Sequence, residues 1–317
     1  MRAESYGARL LTAADRLLYS AVRHGEAQLS RPPSRGVRGF GVPCERARKA
    51  IGSEMALYWQ VALRGFRRYA TYRAATFAGV FTNTIFGFLR AYVMIALYAG
   101  RGSIGGFDLR DTLTYTFVTQ GMLMVVYIWN WWEIALTIRS GDIVTDFARP
   151  LNYQLYWLAQ DVGRATYHAI FRGIPPFVIG AVVFSLRLPA HPWTWLFFLL
   201  SMYLAVAVSF AFRFMLNLSA FWLFDYRGIG SIAAAVWTFL SGFAVPIALF
   251  PGTLQTVARA LPFAAFVNTP VEIFLEKQQG WALLGALAYQ LGWALALLAA
   301  GRLALSAAER KVVVQGG

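Results

Sequence analysis

The chain contains little of what soluble enzymes depend on. It has one cysteine, three lysines and three histidines, and charged residues make up only 14% of its length. A single cysteine cannot form an internal disulfide. Soluble domains carry about 25% charged residues, whereas 58% of this chain is hydrophobic and its mean hydropathy is +0.51. The composition therefore indicates an integral membrane protein.

Catalytic motifs are also absent from the sequence. No G-x-x-x-x-G-K-[ST] loop occurs, so the chain cannot hydrolyse nucleotide through a P-loop. The histidines are scattered and form no H-E-x-x-H motif, and no G-x-S-x-G elbow is present. We therefore expect that the chain is not an enzyme and that it binds neither a metal ion nor a cofactor itself.

Six segments are long and apolar enough to be membrane spans. A helix needs about 20 residues to cross about 30 Å of hydrocarbon. Because lipid cannot satisfy backbone polar groups, and because these runs do not alternate as barrel strands do, we expect helices. The predicted fold is all-α, with spans at Ala74–Ala99, Thr112–Trp132, Tyr167–Leu188, Trp193–Phe212, Ile229–Phe250 and Trp281–Leu305.

The position of the basic residues predicts the topology. The formal net charge is +14, and 14 of the basic residues lie within residues 1–73, before the first span. The positive-inside rule then places the N-terminus in the cytosol, and six spans return the C-terminus there. A nucleic-acid partner is disfavoured because topology already requires this charge. The predicted cytosolic loop between spans 2 and 3 carries Arg139, Arg149, Arg164 and Arg172.

Two segments precede the first span. Residues 1–54 are expected to be a cytosolic extension, and they could be disordered, form a membrane-surface helix, or lie upstream of a natural start at Met55. Met55–Arg73 mixes aromatic and basic residues, which is typical of the headgroup layer. We predict an interfacial helix there, with a plain helical extension of span 1 as the alternative. Residues 55–317 are expected to be the transmembrane domain.

Polar side chains inside spans are candidates for a translocation path, because they usually face protein or water. Asn83 and Arg90 lie in span 1, and Gln120 lies in span 2. A purely structural role for Arg90 stays open. No Asp or Glu is found well inside a predicted span, which disfavours a proton-driven carrier. In span 3, Pro175-Pro176 is expected to kink or break the helix.

The segment between spans 5 and 6 is apolar but cannot form one continuous helix. We expect two short re-entrant helices on the outer side, at Leu254–Leu261 and Phe263–Leu275. Broken helices at membrane depth are tolerated only against protein or a water-lined cavity, so this segment is a candidate for lining the outer half of a path. Its helix-breaking residues are Pro246, Pro251, Pro262 and Pro270.

The polar segment Ile138–Leu151 lies between two apolar runs and is a candidate contact for a cytosolic partner. Gly141 permits a tight turn into a short helix, and Asp142 near that helix's start suits its dipole. Arg149 can offer a bidentate fork to an acidic surface, and Pro150 ends the helix. The alternative is that these residues only shape a loop.

Several motifs in this order resemble those of ABC-2 type permeases, in particular the six-span branch that includes viologen-exporter-like permeases. The resemblance covers Met55–Gly317. The matching pieces are Ile138–Asp142, Ala148–Leu151, Ala220–Trp222, Leu240–Gly242, Pro246, Phe250-Pro251, Leu261–Phe263, Asn268–Pro270 and Gln315–Gly317.

The resemblance implies an ATP-driven exporter in the bacterial plasma membrane, built from two permease chains and two ATPase subunits that hold the ATP and Mg. It favours a heterodimer of permeases, embedded in lipid. The 25 Phe, 11 Trp and 15 Tyr residues predict a hydrophobic, amphipathic or lipid-like cargo. Aromatic faces favour organic cations, whereas Arg90 in the path favours an anionic or lipid cargo, and both alternatives stay open. A self-powered carrier or channel and a non-transporting scaffold are the alternatives. The implied ATPase-coupling residues are Ile138, Gly141, Asp142, Arg149, Pro150 and Leu151.

Overall fold

The computed structural model describes residues 43–127, 131–223 and 225–311, with side chains from Glu54 onward. It divides the chain into two units, Met1–Ile51 and Gly52–Gly317, and only the helical residues 43–51 of the first unit are described. The predictions for residues 1–42 and for the Gln315–Gly317 motif therefore lie outside the described residues.

The described residues form helices and no β-strand; the single isolated bridge joins Ile104 to Phe107. Short 3-10 turns occupy Ser219–Phe221, Ile247–Leu249 and Pro262–Ala265, and a π-helical turn occupies Ala169–Gly173. In chain order the helices are α1 (Pro43–Ala70), α2 (Arg73–Leu97), α3 (Leu109–Val126), α4 (Glu133–Ser140), α5 (Ile143–Phe147), α6 (Tyr153–His168), α7 (Ile174–Phe184), α8 (Pro192–Leu218), α9 (Tyr226–Leu240), α10 (Gly252–Ala260), α11 (Asn268–Phe274) and α12 (Trp281–Glu309).

Four helical stretches in the described part of the chain are long and apolar enough to cross a membrane. They are Arg73–Leu97, Tyr153–Phe184, Pro192–Phe221 and Trp281–Glu309. They correspond to predicted spans 1, 3, 4 and 6, and they establish a multi-pass helical membrane protein. The six-span count and the cytosolic placement of both termini stay predictions.

The other two predicted spans correspond to the shorter helices α3 and α9. Helix α3 begins with a capping box in which Asp108 and Asp111 exchange backbone and side-chain hydrogen bonds, so its first turn is polar. Helix α9 stops at Leu240, ten residues before the predicted end of span 5. Its 15 residues reach only about 22 Å, because Gly242 takes a left-handed conformation (φ 79°) and Pro246 follows.

The boundary predicted for span 3 was wrong. The helix begins at Tyr153 rather than at Tyr167, so Arg164 lies inside it and not in a cytosolic loop. Its prolines do not end it. The π-helical turn immediately before them lets the Ile174 N–H donate to the Ala169 carbonyl, and this wider turn accommodates residues that lack an N–H and crowd the preceding carbonyls.

The buried core lies between α2, α3 and α7 at one side and α8, α11 and α12 at the other. Phe117 of α3 is fully buried, and its ring lies against Gly87 of α2 and Gly180 of α7, where an added Cβ would come within 2.9 and 2.4 Å of ring atoms. Met202 and Phe266 belong to the larger core cluster on the α8 side. Small residues thus set the separation of these helices.

Helix α1 is separate from α2, since the chain turns at Thr71 and Tyr72 between them. It crosses α6 at very short range through Gly65 and Gly163. A Cβ on Gly65 would lie 2.4 Å from the Gln160 carbonyl oxygen, and one on Gly163 would lie 1.9 Å from that of Ala62. A distinct helix before the first span is therefore present, and its interfacial position stays a prediction.

Candidate functional site

The Ile138–Leu151 segment folds as the end of α4, a turn, the short helix α5 and a bent stretch after it. Gly141 ends α4 in a left-handed conformation (φ 83°), and its N–H donates to the Ile138 carbonyl at 3.4 Å. Asp142 occupies the N-cap position of α5, where its carboxylate accepts a hydrogen bond from Ser140 Oγ at 2.6 Å. A tight turn at Gly141 into a short helix was predicted, and the structure has one.

Helix α5 has a buried face and an exposed face. Ile143 is buried, and Phe147 packs edge-on against Tyr153 with ring centroids 5.3 Å apart. Asp142 and Arg149 are both exposed. The segment thus rests on the helical core through apolar side chains and presents both charges outward.

Arg149 forms an ion pair with Asp146 at 3.4 Å, and more than half of its side chain is exposed. Pro150 follows the end of α5, and Asn152 then caps α6 by accepting the Leu155 N–H at 3.0 Å. Leu151 is partly buried, as is Ile138. The predicted coupling residues therefore lie together on one short connection between α4 and α6, and their role in coupling stays a prediction.

Asn217 of α8 fixes the start of α4. Its amide oxygen accepts the Ala135 N–H at 3.0 Å, and its amide nitrogen donates to the carbonyls of Trp131 (2.9 Å) and Arg213 (2.8 Å). Asn217 is 1% exposed, so these bonds are shielded from water. The segment is consequently attached to a long helix that has the length and hydropathy of a membrane span.

Two arginines tie α4 to its other neighbours. Arg68 of α1 donates to the Glu133 carboxylate at 2.8 Å, and this hydrogen bond raises the pKa of Arg68 above its ordinary value. Arg139 donates to the Leu223 carbonyl and lies 5.9 Å from the centroid of the Tyr226 ring. Helix α4 therefore contacts α1, α8 and the start of α9.

A cavity of about 690 Å³ lies beside α4. Its walls are the two tryptophans that precede α4, the last turns of α8, and α9 from Arg227 to Phe239. Gly230 lies so close to Trp132 that an added Cβ would fall 1.9 Å from the indole. We call this the inner cavity, because Trp131 and Trp132 in its wall immediately precede α4, which leads into the Ile138–Leu151 segment; its polar lining includes Arg213, Asn217, Arg227, Ser231 and Thr238.

The three residues predicted for a translocation path do not line the inner cavity. Asn83 and Gln120 are buried in α2 and α3. Arg90 donates to the Phe243 carbonyl, to the Ala244 carbonyl at 3.2 Å and to Thr119 Oγ1 at 3.3 Å. Arg90 thus fastens α2 to the chain that follows α9, and Ala244 is itself part of the cavity wall.

The segment between α9 and α12 consists of short helices, as the prolines predict. Pro246 precedes the 3-10 turn Ile247–Leu249, Pro251 precedes α10, Pro262 begins another 3-10 turn, and Pro270 lies in the first turn of α11. The two predicted short helices are therefore present, but the second is divided into the 3-10 turn that begins at Pro262 and the helix α11. This division was not predicted.

Asn268 joins this segment to α3. Its side-chain oxygen lies 3.1 Å from the Tyr115 hydroxyl and 3.3 Å from the Ile247 N–H, and its own N–H donates to the Ser241 carbonyl at 3.1 Å. Tyr115 also donates to the Gly242 carbonyl at 2.9 Å. These buried bonds satisfy backbone groups that a broken helix would otherwise leave unpaired.

Sequence reasoning missed a buried ionic cluster at the inner end of the helices. Asp161 of α6 pairs with Arg164 at 2.7 Å and with Arg213 of α8 at 2.7 Å, and all three are at most 3% exposed. Arg164 also donates to the Met124 and Val125 carbonyls at the end of α3. The late start predicted for span 3 left Asp161 in a loop, whereas it lies in α6, in the first third of the helical stretch Tyr153–Phe184.

A second polar cluster lies at the opposite end of the helices. Asp111 forms ion pairs with Lys277 at 2.6 Å and Arg187 at 2.5 Å. Nearby, Glu276 accepts the His191 N–H at 2.9 Å and the Thr194 hydroxyl at 2.7 Å. Burial alone would raise the pKa of Glu276, but these hydrogen bonds outweigh it and lower that pKa below its ordinary value.

Residues 81–316 match the model of a family described as ABC-2 family transporter protein. This is about three quarters of the chain. The chain belongs to the ABC-2 transporter family. The matched region includes the Ile138–Leu151 segment, the inner cavity and the proline-rich outer segment, whereas α1 precedes it. The predicted resemblance is confirmed, and the chain is a multi-pass permease subunit of this type. No curated protein matches the chain.

Proposed function

We propose that the chain is the permease subunit of an ATP-driven exporter, in which Ile138–Leu151 docks in a separate ATPase subunit. The observation that carries the proposal is the geometry of this segment. Asp142 and Arg149 flank the short helix α5 and are exposed, while Ile143 and Phe147 pack α5 on the core and the Asn217 bonds hold the start of α4, which precedes it. Such a connection can pass a force in either direction without unfolding.

Motion of the ATPase subunits would reach the cargo path through α4. Trp131 and Trp132 lie immediately before α4 and also form a wall of the inner cavity. A displacement of α4 therefore moves a cavity wall directly, and through Asn217 it also pulls on α8. ATP and Mg would be bound by the partner and not by this chain.

The assembly would contain two permeases and two ATPase subunits in a bacterial plasma membrane, and a mixed pair of permeases is favoured by the family resemblance. The outward direction of transport has the same basis. The aromatic and apolar walls of the inner cavity support a hydrophobic, amphipathic or lipid-like cargo. Such a cargo would enter from the cytosol or from the inner leaflet.

The test is a tagged pull-down from native membranes in mild detergent, with mass spectrometry of the proteins that co-purify. The wild-type chain is expected to recover a P-loop ATPase. The double variant Asp142→Ala/Arg149→Ala is expected to recover far less of it, since truncating charged contacts in an interface costs roughly 2–5 kcal/mol, and 2 kcal/mol alone lowers the affinity about thirtyfold. The control is Arg101→Ala, which removes an exposed arginine in the loop after α2. This variant should recover as much ATPase as the wild type.

The amount of ATPase recovered is compared between variants that are present in the membrane in equal amounts. Full retention of the ATPase by the double variant would show that the segment is not the docking element. Recovery of the wild-type chain without any ATPase would refute the ATP-driven proposal and favour a self-powered carrier.

A further inference from the structure

The inner cavity is positively charged on one side and apolar on the other. Among the described residues that line it, Arg213 and Arg227 are the charged ones, and no carboxylate is present. Arg213 shares the single carboxylate of Asp161 with Arg164. Three charges thus meet in the buried cluster with a net charge of +1, and Arg227 adds another at the first turn of α9.

Two hydrogen-bond donors at the cavity have no acceptor in the described structure. They are Nε of Arg213 and Nε1 of Trp237, and both residues are at most 3% exposed. Buried donors normally have a partner, and an unsatisfied one costs free energy. Since both groups are donors, any partner that reaches them has to be an acceptor. An anionic oxygen satisfies such groups best.

The rest of the lining is apolar or aromatic. The walls include Trp131, Trp132, Leu216 and Phe239, together with alanines of α9. The guanidinium of Arg213 already lies 5.0 Å from the centroid of the Trp131 ring, so the aromatic surface on that side is occupied by a cation of the protein itself. An organic cation would therefore meet both an occupied ring and uncompensated positive charge.

We propose that the inner cavity binds an anionic amphipath, with a phosphate, sulfate or carboxylate head held by Arg213, Arg227 and Trp237 and an apolar body along the tryptophan and α9 walls. This inference rests on the proposed function, since it names the cargo class of that path. The cavity volume of about 690 Å³ is within the range of small-molecule sites.

The test uses the full chain in phosphatidylcholine nanodiscs and two photoreactive probes with the same tail. One probe is a diazirine-bearing dodecyl phosphate and the other is its dodecyl trimethylammonium counterpart. Labelled peptides are mapped by mass spectrometry, with peptides of α12 as the reference for non-specific tail contact. We expect the phosphate probe to label the residues 213–239 about tenfold more than the ammonium probe, as for a charge-assisted hydrogen bond to a buried donor.

Arg227 is the residue to vary, because its side chain is exposed and only its backbone N–H caps α9 by donating to Asp225. Arg227→Gln should lower phosphate labelling about fivefold, and Arg227→Glu should reverse the preference in favour of the ammonium probe. Arg67→Gln removes an exposed arginine of α1 and should change nothing. Arg213 is left intact because Asp161 would lose a partner.

Adding phosphatidylglycerol to the nanodiscs separates two sources of the same chemistry. If phosphatidylglycerol lowers the labelling by the phosphate probe, the occupant is a membrane lipid. If the labelling does not change, the occupant is a water-soluble anion. Both results support the site. Equal labelling by both probes, or no effect of either Arg227 variant, would overturn it. Because the assay contains neither ATP nor ATPase, its failure leaves the proposed function standing, and loss of the ATPase partner leaves the site standing.

Discussion

The crossing of α1 over α6 depends on the absence of two side chains, and adding one back should separate the helices. In Gly163→Ala, the new Cβ would lie 1.9 Å from the Ala62 carbonyl oxygen and 2.9 Å from the Phe66 nitrogen. Both are backbone atoms inside α1, so neither can rotate away. Ordinary van der Waals contact begins at 3.4 Å, so the two backbones would have to move apart by about 1.5 Å.

Separation on this scale is costly because dispersion falls steeply with distance. A gap of 0.5–1 Å already forfeits a quarter to a half of each contact, and overpacking costs typically 1–3 kcal/mol. Replacing a helical glycine by alanine also gains up to about 1 kcal/mol from helix propensity. We expect a net destabilisation of about 2 kcal/mol, which corresponds to a fall in Tm of about 4–8 °C.

Gly292→Ala in α12 is the matched control. It is the same substitution inside a helix, but no atom lies within 4 Å of the added Cβ. Only the propensity gain remains, so its Tm should equal or exceed that of the wild type. Thermal unfolding of both variants in the same detergent, followed by tryptophan fluorescence, gives the comparison. A Gly163→Ala protein as stable as Gly292→Ala would refute the close crossing.

Two further predictions concern the ends of the helices. Asn217→Ala leaves the Ala135 N–H and the Trp131 carbonyl without partners in a buried site, so we expect a loss of about 2–4 kcal/mol and faster hydrogen exchange over residues 131–140; unchanged exchange there would contradict the anchor. For Glu276, the lowered folded pKa means that the carboxylate stabilises the protein above its ordinary pKa of 4.5, and that this contribution is lost as pH falls through the folded value. The Tm difference between wild type and Glu276→Gln should therefore be largest near neutral pH and shrink below about pH 4; a difference that does not change with pH would argue against this role.

The sequence predicted the structure best where a single residue type restricts the backbone conformation. Gly141 and the four prolines of the outer segment restrict φ or remove a hydrogen-bond donor, so the turns they impose could be predicted without tertiary contacts. The apolar runs predicted six spans by the same kind of local reasoning, and four of them correspond to helices long and apolar enough to cross a membrane.

The errors arose where tertiary contacts compensate for a local penalty. A run that contains Asp161 and Arg164 is too polar to predict as a membrane helix, yet Asp161 pairs with Arg164 in the same helix and with Arg213 in a separate helix, which leaves a net charge of only +1. Pro175-Pro176 predicted a kink or a break, and the helix does not break because a π-helical turn, which sequence reasoning cannot anticipate, accommodates both rings. The inner cavity could not be predicted from the sequence, because its walls come from segments that are far apart in the chain.

The positions of Trp132 and Gly230 suggest how docking and cargo could be linked. The Trp132 indole leaves no room for a methyl group at Gly230 of α9. Because packed interiors are nearly incompressible, a shift of α4 would displace α9 as well. At the other end of the same cavity, Arg90 connects Ala244 to α2. A movement that begins at Asp142 and Arg149 would therefore reach α9 near Gly230 through Trp132, while Arg90 holds Ala244, which follows α9, to α2. The inner cavity would change shape between these two contacts, which is where a cargo would have to be released.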